Sequence, residues 1–214
     1  MTTGPIELRQ FVAWLARFRD LVVAKREYLT ELDSAIGDAD HGINMARGMT
    51  AVMERIGASP AGAADRLFSQ VGMALLSSVG GASGPLYATF FMTLGKNLSK
   101  ADPTPAADFA LALHRALDDV VARGKAEPGD KTMVDAAGPA LAALDKGIAT
   151  GLPLTVVAKS THAAAEAGRD ATVPLLAKKG RASYLGDRSI GHLDPGATSV
   201  ALLFQAFSDA VGRG

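Results

Sequence analysis

Apolar residues return at three- and four-residue spacing through one segment after another of this chain, with Gly or Pro between the segments. A succession of amphipathic helices satisfies that pattern; strands, which alternate every second residue, do not. Leu8, Phe11, Leu15, Phe18 and Val22 mark a long first helix ending near Leu32, and a second runs from about Gly42 to Ile56. Ser59-Pro60 introduces a third with Leu67, Val71 and Leu75, and the Gly80–Pro85 stretch breaks the chain before a fourth through Phe91 and Leu98. Pro103 and Pro105 lead into a fifth marked by Phe109, Leu113, Leu117 and Val120. Thr132-Met133-Val134-Asp135 resembles a capping box and opens a sixth through Leu144. A seventh covers Leu154 to Ala171, and Asp194-Pro195 reads as an N-cap and first helical residue of an eighth, with Val200, Leu203, Phe204 and Phe207 turned inward.

Eight helices with short connections imply an all-α, antiparallel, up-down bundle or closed helical barrel. With 214 residues and no linker, the chain is expected to form one domain, 1–214, with a substantial core. Aromatics make up only 6% of it, so the helices must pack largely through small side chains. Lys plus Arg balance Asp plus Glu at 22 each, and the basic residues are scattered, so no nucleic-acid partner is expected. The absence of Cys removes disulfides and thiolate zinc sites. Residues 1–7 carry no secretory pattern and no apolar run spans a membrane, which predicts a cytoplasmic protein without membrane contact.

The densest chemistry lies between the first two helices, where Asp33, Asp38 and Asp40 fall within eight residues beside Gly37, His41, Gly42 and Asn44. Taken singly, Asp40 is explained as a helix cap and Asp38 by the helix dipole. All three together, with His41 and Asn44, point instead to hard oxygen ligands for Mg²⁺ or Ca²⁺, and a Mg²⁺ held by a few carboxylates keeps room for phosphate oxygens. A Ca²⁺-binding EF-hand loop is excluded, because counting from Asp38 puts Met49 where a bidentate Glu is required.

The other unusual loops, Gly80-Gly81-Ala82-Ser83-Gly84, Gly129-Asp130-Lys131-Thr132 and Gly180 to Gly196, fall at alternate connections and so share one end of an up-down bundle with the acidic loop. Each precedes a helix, whose free N–H groups and positive dipole end favour anions. Neither a Walker loop nor the dinucleotide Gly-x-Gly-x-x-Gly is present, so the phosphate cradle is of another kind. Arg181 and Arg188 in the last loop are candidates to stabilise transferring charge, His41 is a candidate phosphate donor, and His192 belongs to the same end. His114 and His162 sit mid-helix and read as structural.

These motifs, in this order, resemble the nucleotide-binding (L) subunit of bacterial dihydroxyacetone kinases and the equivalent C-terminal domain of the single-chain ATP-dependent kinases. The resemblance covers Asp33–Met45, Ser77–Leu86, Gly129–Asp135, Gly180–Gly186 and Asp194–Ala197. It implies an eight-helix barrel, a single nucleotide-binding domain, whose rim holds ADP or ATP through two Mg²⁺ ions. Carried over by motif, Asp33, Asp38 and Asp40 would hold the metal. His41, Gly42, Ile43, Asn44, Ala82, Ser83, Gly124, Met133, Arg181, Asp194, Pro195 and Gly196 would line the nucleotide pocket. Ala39 replaces the middle glycine of the family's Gly-Asp-Gly-Asp-His-Gly, so positive φ at this position would be strained.

The resemblance further implies a kinase subunit of glycerol metabolism that works only with partners. One is a subunit that binds the hydroxyketone; another is a phosphocarrier subunit of the phosphotransferase system, which recharges tightly bound ADP. The alternatives are a subunit of an ATP-exchanging kinase for dihydroxyacetone or erythrulose, and a regulatory module whose nucleotide state controls docking to a transcriptional regulator.

Overall fold

The structure is a computed structural model that describes residues 3–98 and 100–212. The described residues form nine α-helices and one 3₁₀ segment, with an isolated bridge between Ile6 and Thr104 in place of any sheet. The helices are α1 (Leu8–Ala24), α2 (Arg26–Ile36), α3 (His41–Ala58), α4 (Ala64–Ser78), α5 (Ser83–Asn97), α6 (Ala106–Gly124), α7 (Met133–Ala149), α8 (Leu154–Asp170) and α9 (Pro195–Gly212), with the 3₁₀ segment at Arg181–Ser189. The ninth helix arises because the predicted first helix breaks at Lys25 (φ −101, ψ 13). Neither Gly nor Pro marks this break. The bend lays α2 along the start of α3, where the backbone of Arg26 occupies the space a side chain on Gly42 would need. Tertiary packing therefore decides the direction of α2, and local propensity does not.

From α3 to α9 each helix packs on the next, α9 packs on α1, and α1 packs on α3, which closes the ring. Alternating helix direction then puts the α2–α3, α4–α5, α6–α7 and α8–α9 connections at one end. Helix α9 is apolar nearly all round and meets α1, α2, α7 and α8, as expected of a helix enclosed by others. The core centres on Trp14, whose ring meets Phe68, Phe109 and Phe207 edge-on at 5.3–5.8 Å, and whose indole N–H donates to the Leu203 carbonyl at 2.8 Å. No helix among the described residues is long and apolar enough to cross a membrane.

Backbone strain gathers at the end that carries the unusual loops. Among the described residues, the non-glycine residues with positive φ are Ala39 (60°), Lys125 (49°) and Lys131 (62°), all in those connections. Ala39 thus takes the left-handed conformation that its side chain resists, at a cost of ~1–2 kcal/mol. Ala39→Gly is expected to raise stability by ~0.5–1 kcal/mol once the added freedom of glycine in the unfolded chain is deducted, measured by thermal or urea unfolding. A loss of stability would mean that the turn is not strained at this position.

Candidate functional site

Asp33 lies on the last turn of α2, and its Oδ2 accepts from the backbone N–H of Asp40 at 2.8 Å and of His41 at 3.1 Å. It therefore caps α3 from outside. Asp40 occupies the N-cap position of α3, yet its own side chain makes no capping bond. The capping explanation of Asp40 fails for that reason, and its carboxylate is left to face the cavity. Asp38 Oδ2 pairs with Arg181 Nε at 2.7 Å, tying the acidic loop to the 3₁₀ segment. One oxygen from each of Asp33, Asp38 and Asp40 lies within 4.8 Å of the others. Three carboxylates at that distance repel one another, and a hard divalent cation is the partner their oxygens suit.

A cavity of about 670 Å³ opens beside them. Its wall is built from all four connections, which bear Gly37, Gly81, Thr132 and Gly180, and from the first turns of α3, α5, α7 and α9. Its lining includes apolar Pro85, Leu86, Val120, Ala126 and Met133, with Gly124, as well as the carboxylates, Lys179 and Arg181. A ligand that joins a flat apolar group to an anion paired with a cation would match this mixed lining.

Of the residues singled out from sequence, Asp33, Asp38, Asp40, His41, Ala82, Ser83, Gly124, Met133, Arg181, Asp194, Pro195 and Gly196 line this cavity. Gly42, Ile43 and Asn44 are not among the lining residues. As α3 turns away from the cavity after His41, Gly42 packs against α2, Ile43 is exposed, and Asn44 is buried with its Oδ1 accepting from Arg47 at 2.6 Å. Arg188 is also absent from the wall. His192 contributes its backbone carbonyl instead of its ring. His114 pairs with Asp145 at 2.7 Å on the surface, outside the site.

Lys131, which is 1% exposed, was not among the residues singled out from sequence. Its Nζ donates to the carbonyls of Thr172 at 2.7 Å, Val173 at 3.3 Å and His192 at 2.5 Å. A lysine between Asp130 and Thr132 in a polar loop looks solvated; here it is a strut that fixes both ends of the long α8–α9 connection. Beside it, α7 starts with the capping box its sequence suggested: Thr132 Oγ1 accepts from Val134 N–H at 3.2 Å, and Asp135 accepts from Thr132 N–H at 2.7 Å.

Among the buried groups with shifted acidity, His41 and Asp194 bear on stability between pH 4 and 7. Desolvation pushes His41 down from 6.5 to about 4, against the pull of Asp33. Desolvation pushes Asp194 up from 3.8 to about 7; the charges of Asp135 and Asp33 add to this, and the Ala197 N–H and Lys131 oppose it. Between pH 4 and 6.5 the unfolded chain binds more protons at His41, so this group makes stability rise with pH. Between pH 3.8 and 7 the folded chain binds more protons at Asp194, so that group makes stability fall as pH rises. The two oppose each other. Asp194→Asn keeps a helix-capping side chain but leaves the His41 effect alone, so its stability in urea is expected to rise from pH 4 to 6.5 more steeply than that of the parent. Equal slopes would contradict the assignment.

Residues 35–209 match the DAK2 domain family. The chain is 44% identical over 196 residues to the PEP-dependent dihydroxyacetone kinase, ADP-binding subunit DhaL, of Escherichia coli K12, covering 92% of this chain and 93% of that one. It is 42% identical to the PTS-dependent dihydroxyacetone kinase, ADP-binding subunit DhaL, of Lactococcus lactis, covering 94% and 96%. The dihydroxyacetone kinase of C. freundii, solved in complex with AMP-PNP and Mg²⁺, superposes with a TM-score of 0.71 at 25% identity over 97% of this chain, which spans 35% of that longer one.

Proposed function

The chain belongs to the DAK2 domain family, and from that premise we propose that it is the ADP-binding subunit of a dihydroxyacetone kinase, passing a phosphoryl group to a hydroxyketone held on a partner subunit. The observation that carries this reading is the convergence of four helix N-termini and three mutually close carboxylates on one cavity whose lining also includes apolar residues. Asp33, Asp38 and Asp40 would hold Mg²⁺, two ions in the reading the resemblance implies. The donor set fits, because all three groups offer oxygen and Asp40 has no competing capping bond. Bound there, Mg²⁺ would neutralise the nucleotide phosphates and hold them in line for transfer.

The chain's own groups do the rest. The first-turn amides of Gly42 and Ile43 have no acceptor within α3, so these residues can serve phosphate through the backbone although the Ile43 side chain is exposed. Ala82 and Ser83 at the start of α5, and Asp194, Pro195 and Gly196 at the start of α9, complete the lining beside His41. Arg181 covers the acidic loop through Asp38 and is placed to follow charge onto the phosphates. Leu86, Gly124 and Met133 shape the apolar slot for the base. A phosphocarrier subunit would recharge the bound nucleotide in place, in keeping with the high identity to relatives named as PEP- or PTS-dependent.

The test is to denature freshly purified protein, without added nucleotide, and to measure the ADP and Mg²⁺ released per chain. Near-stoichiometric ADP is expected of a nucleotide kept as a coenzyme. An empty protein that binds Mg·ATP reversibly would move the chain to an ATP-exchanging kinase, and binding of neither nucleotide would overturn both.

A further inference from the structure

From the cavity wall inward to Ser199 runs a chain of polar groups whose mutual bonds neither the acidic loop nor the phosphate cradle requires. His41, the first residue of α3, has Nδ1 at 3.0 Å from Ser83 Oγ and Nε2 at 3.0 Å from Ser199 Oγ. Ser199 Oγ lies 2.8 Å from the Tyr87 hydroxyl and 2.9 Å from the Gly196 carbonyl. Ser199 is fully buried, Tyr87 is 1% exposed and His41 is 5% exposed. Tyr87 stands one helical turn after Ser83 on α5, and Ser199 one turn after Pro195 on α9, so the chain links the first turns of α3, α5 and α9.

Proton counting gives this chain a direction. Ser199 is the one side-chain partner of the Tyr87 hydroxyl, so Tyr87 must donate to it or bury an unsatisfied O–H. The single proton of Ser199 has the Gly196 carbonyl as acceptor. Ser199 is then an acceptor toward both Tyr87 and His41, and the His41 proton must reside on Nε2. The free lone pair of Nδ1 meets Ser83, whose hydroxyl has one proton to give.

We propose that Ser199, backed by Tyr87, is a positioning residue: it locks the His41 ring as its Nε2–H tautomer, so that Nδ1 takes the Ser83 hydroxyl proton and the Ser83 oxygen turns its lone pairs toward the cavity. In this arrangement Ser83 serves the site as an acceptor, suited to a cation or a ligand hydroxyl and unsuited to donating to a phosphate oxygen. The inference builds on the nucleotide reading given above, but the tautomer itself can be read without any ligand.

The experiment is long-range ¹H–¹⁵N spectroscopy of ¹⁵N-histidine-labelled protein, with His41 assigned by a His41→Gln variant, alongside the ADP dissociation rate in Mg²⁺. In the parent, His41 is expected to be the pure Nε2–H tautomer. Ser199→Ala removes the hydroxyl that Nε2–H meets, so the tautomers are expected to mix and ADP to leave about tenfold faster; Ser199→Thr keeps the hydroxyl and is expected to restore both. Tyr87→Phe leaves Ser199 free to accept, so the tautomer is expected to stay as it is. An Nδ1–H ring in the parent, or a pure Nε2–H ring with an unchanged ADP rate in Ser199→Ala, would overturn the proposal. Should Ser199→Ala fail to fold, the parent and Tyr87→Phe spectra decide alone. A parent that shows the expected tautomer yet binds no ADP would contradict the nucleotide reading and leave the ring assignment standing.

Discussion

Asp40→Ala is expected to weaken Mg·ADP binding at least ~100-fold while leaving the ligand-free fold as stable as the parent or more so. The two effects have opposite signs because Asp40 makes no capping bond and sits among like charges. Removing it costs α3 nothing and relieves repulsion between the remaining carboxylates. Asp38→Ala is expected to behave similarly toward the ligand, with the added loss of the Arg181 pair, whose half-exposed geometry contributes little to stability. Asp33→Ala provides the contrast. Its carboxylate accepts two backbone N–H groups at the start of α3, so its loss is expected to cost ~1–2 kcal/mol of stability in addition to ligand binding. Titration calorimetry together with urea unfolding separates the three. If Asp40→Ala retained Mg·ADP, the cation assignment would fail; if Asp33→Ala were as stable as Asp40→Ala, the division of labour within the loop would fail.

Lys131→Met is expected to be the most destabilising single change near the site, by ~3 kcal/mol, because it leaves three backbone carbonyls without their shared donor. For a chain of this size that corresponds to a fall of roughly 6–12 °C in Tm. Two of those carbonyls, of Thr172 and Val173, lie just past the end of α8, where a cation also offsets the negative end of the helix dipole. The third, of His192, lies two residues before Asp194. The loss should therefore be local at first: the segment 173–193 is expected to become the preferred site of limited proteolysis, and Arg181 to lose its hold on Asp38. A variant with unchanged Tm and an unchanged cleavage pattern would show that the strut is dispensable.

Much of this architecture was legible in the sequence because it rests on short-range chemistry. The apolar stripes placed the helices, Thr132 and Asp135 announced the start of α7, and Asp194-Pro195 announced that of α9. The rule that alternate connections of an up-down bundle share an end then gathered four distant loops, and the cavity is lined from all of them. What escaped depends on partners remote in sequence. The break at Lys25 follows from how closely α2 approaches Gly42. Lys131 looked like a solvated loop lysine because its three acceptors lie 41 to 61 residues away. Ser199 does leave a trace, a hydroxyl beside that of Thr198 on a largely apolar helix, but its partners His41 and Tyr87 are 158 and 112 residues distant. Ile43 and Asn44 belong to the acidic motif by position, yet the rotation of α3 turns their side chains off the wall. Ala39 is the reverse case: its substitution for glycine was visible, but the turn keeps the left-handed backbone (φ 60°) despite it.

In the proposed function the three carboxylates and the cavity form one site, in which the cation and the nucleotide bind together. Calorimetric titration of nucleotide-stripped protein with ADP, once in excess Mg²⁺ and once in EDTA, tests it most directly. Tight one-to-one binding in Mg²⁺ that vanishes in EDTA is the predicted result. Binding of equal strength in both buffers would contradict it.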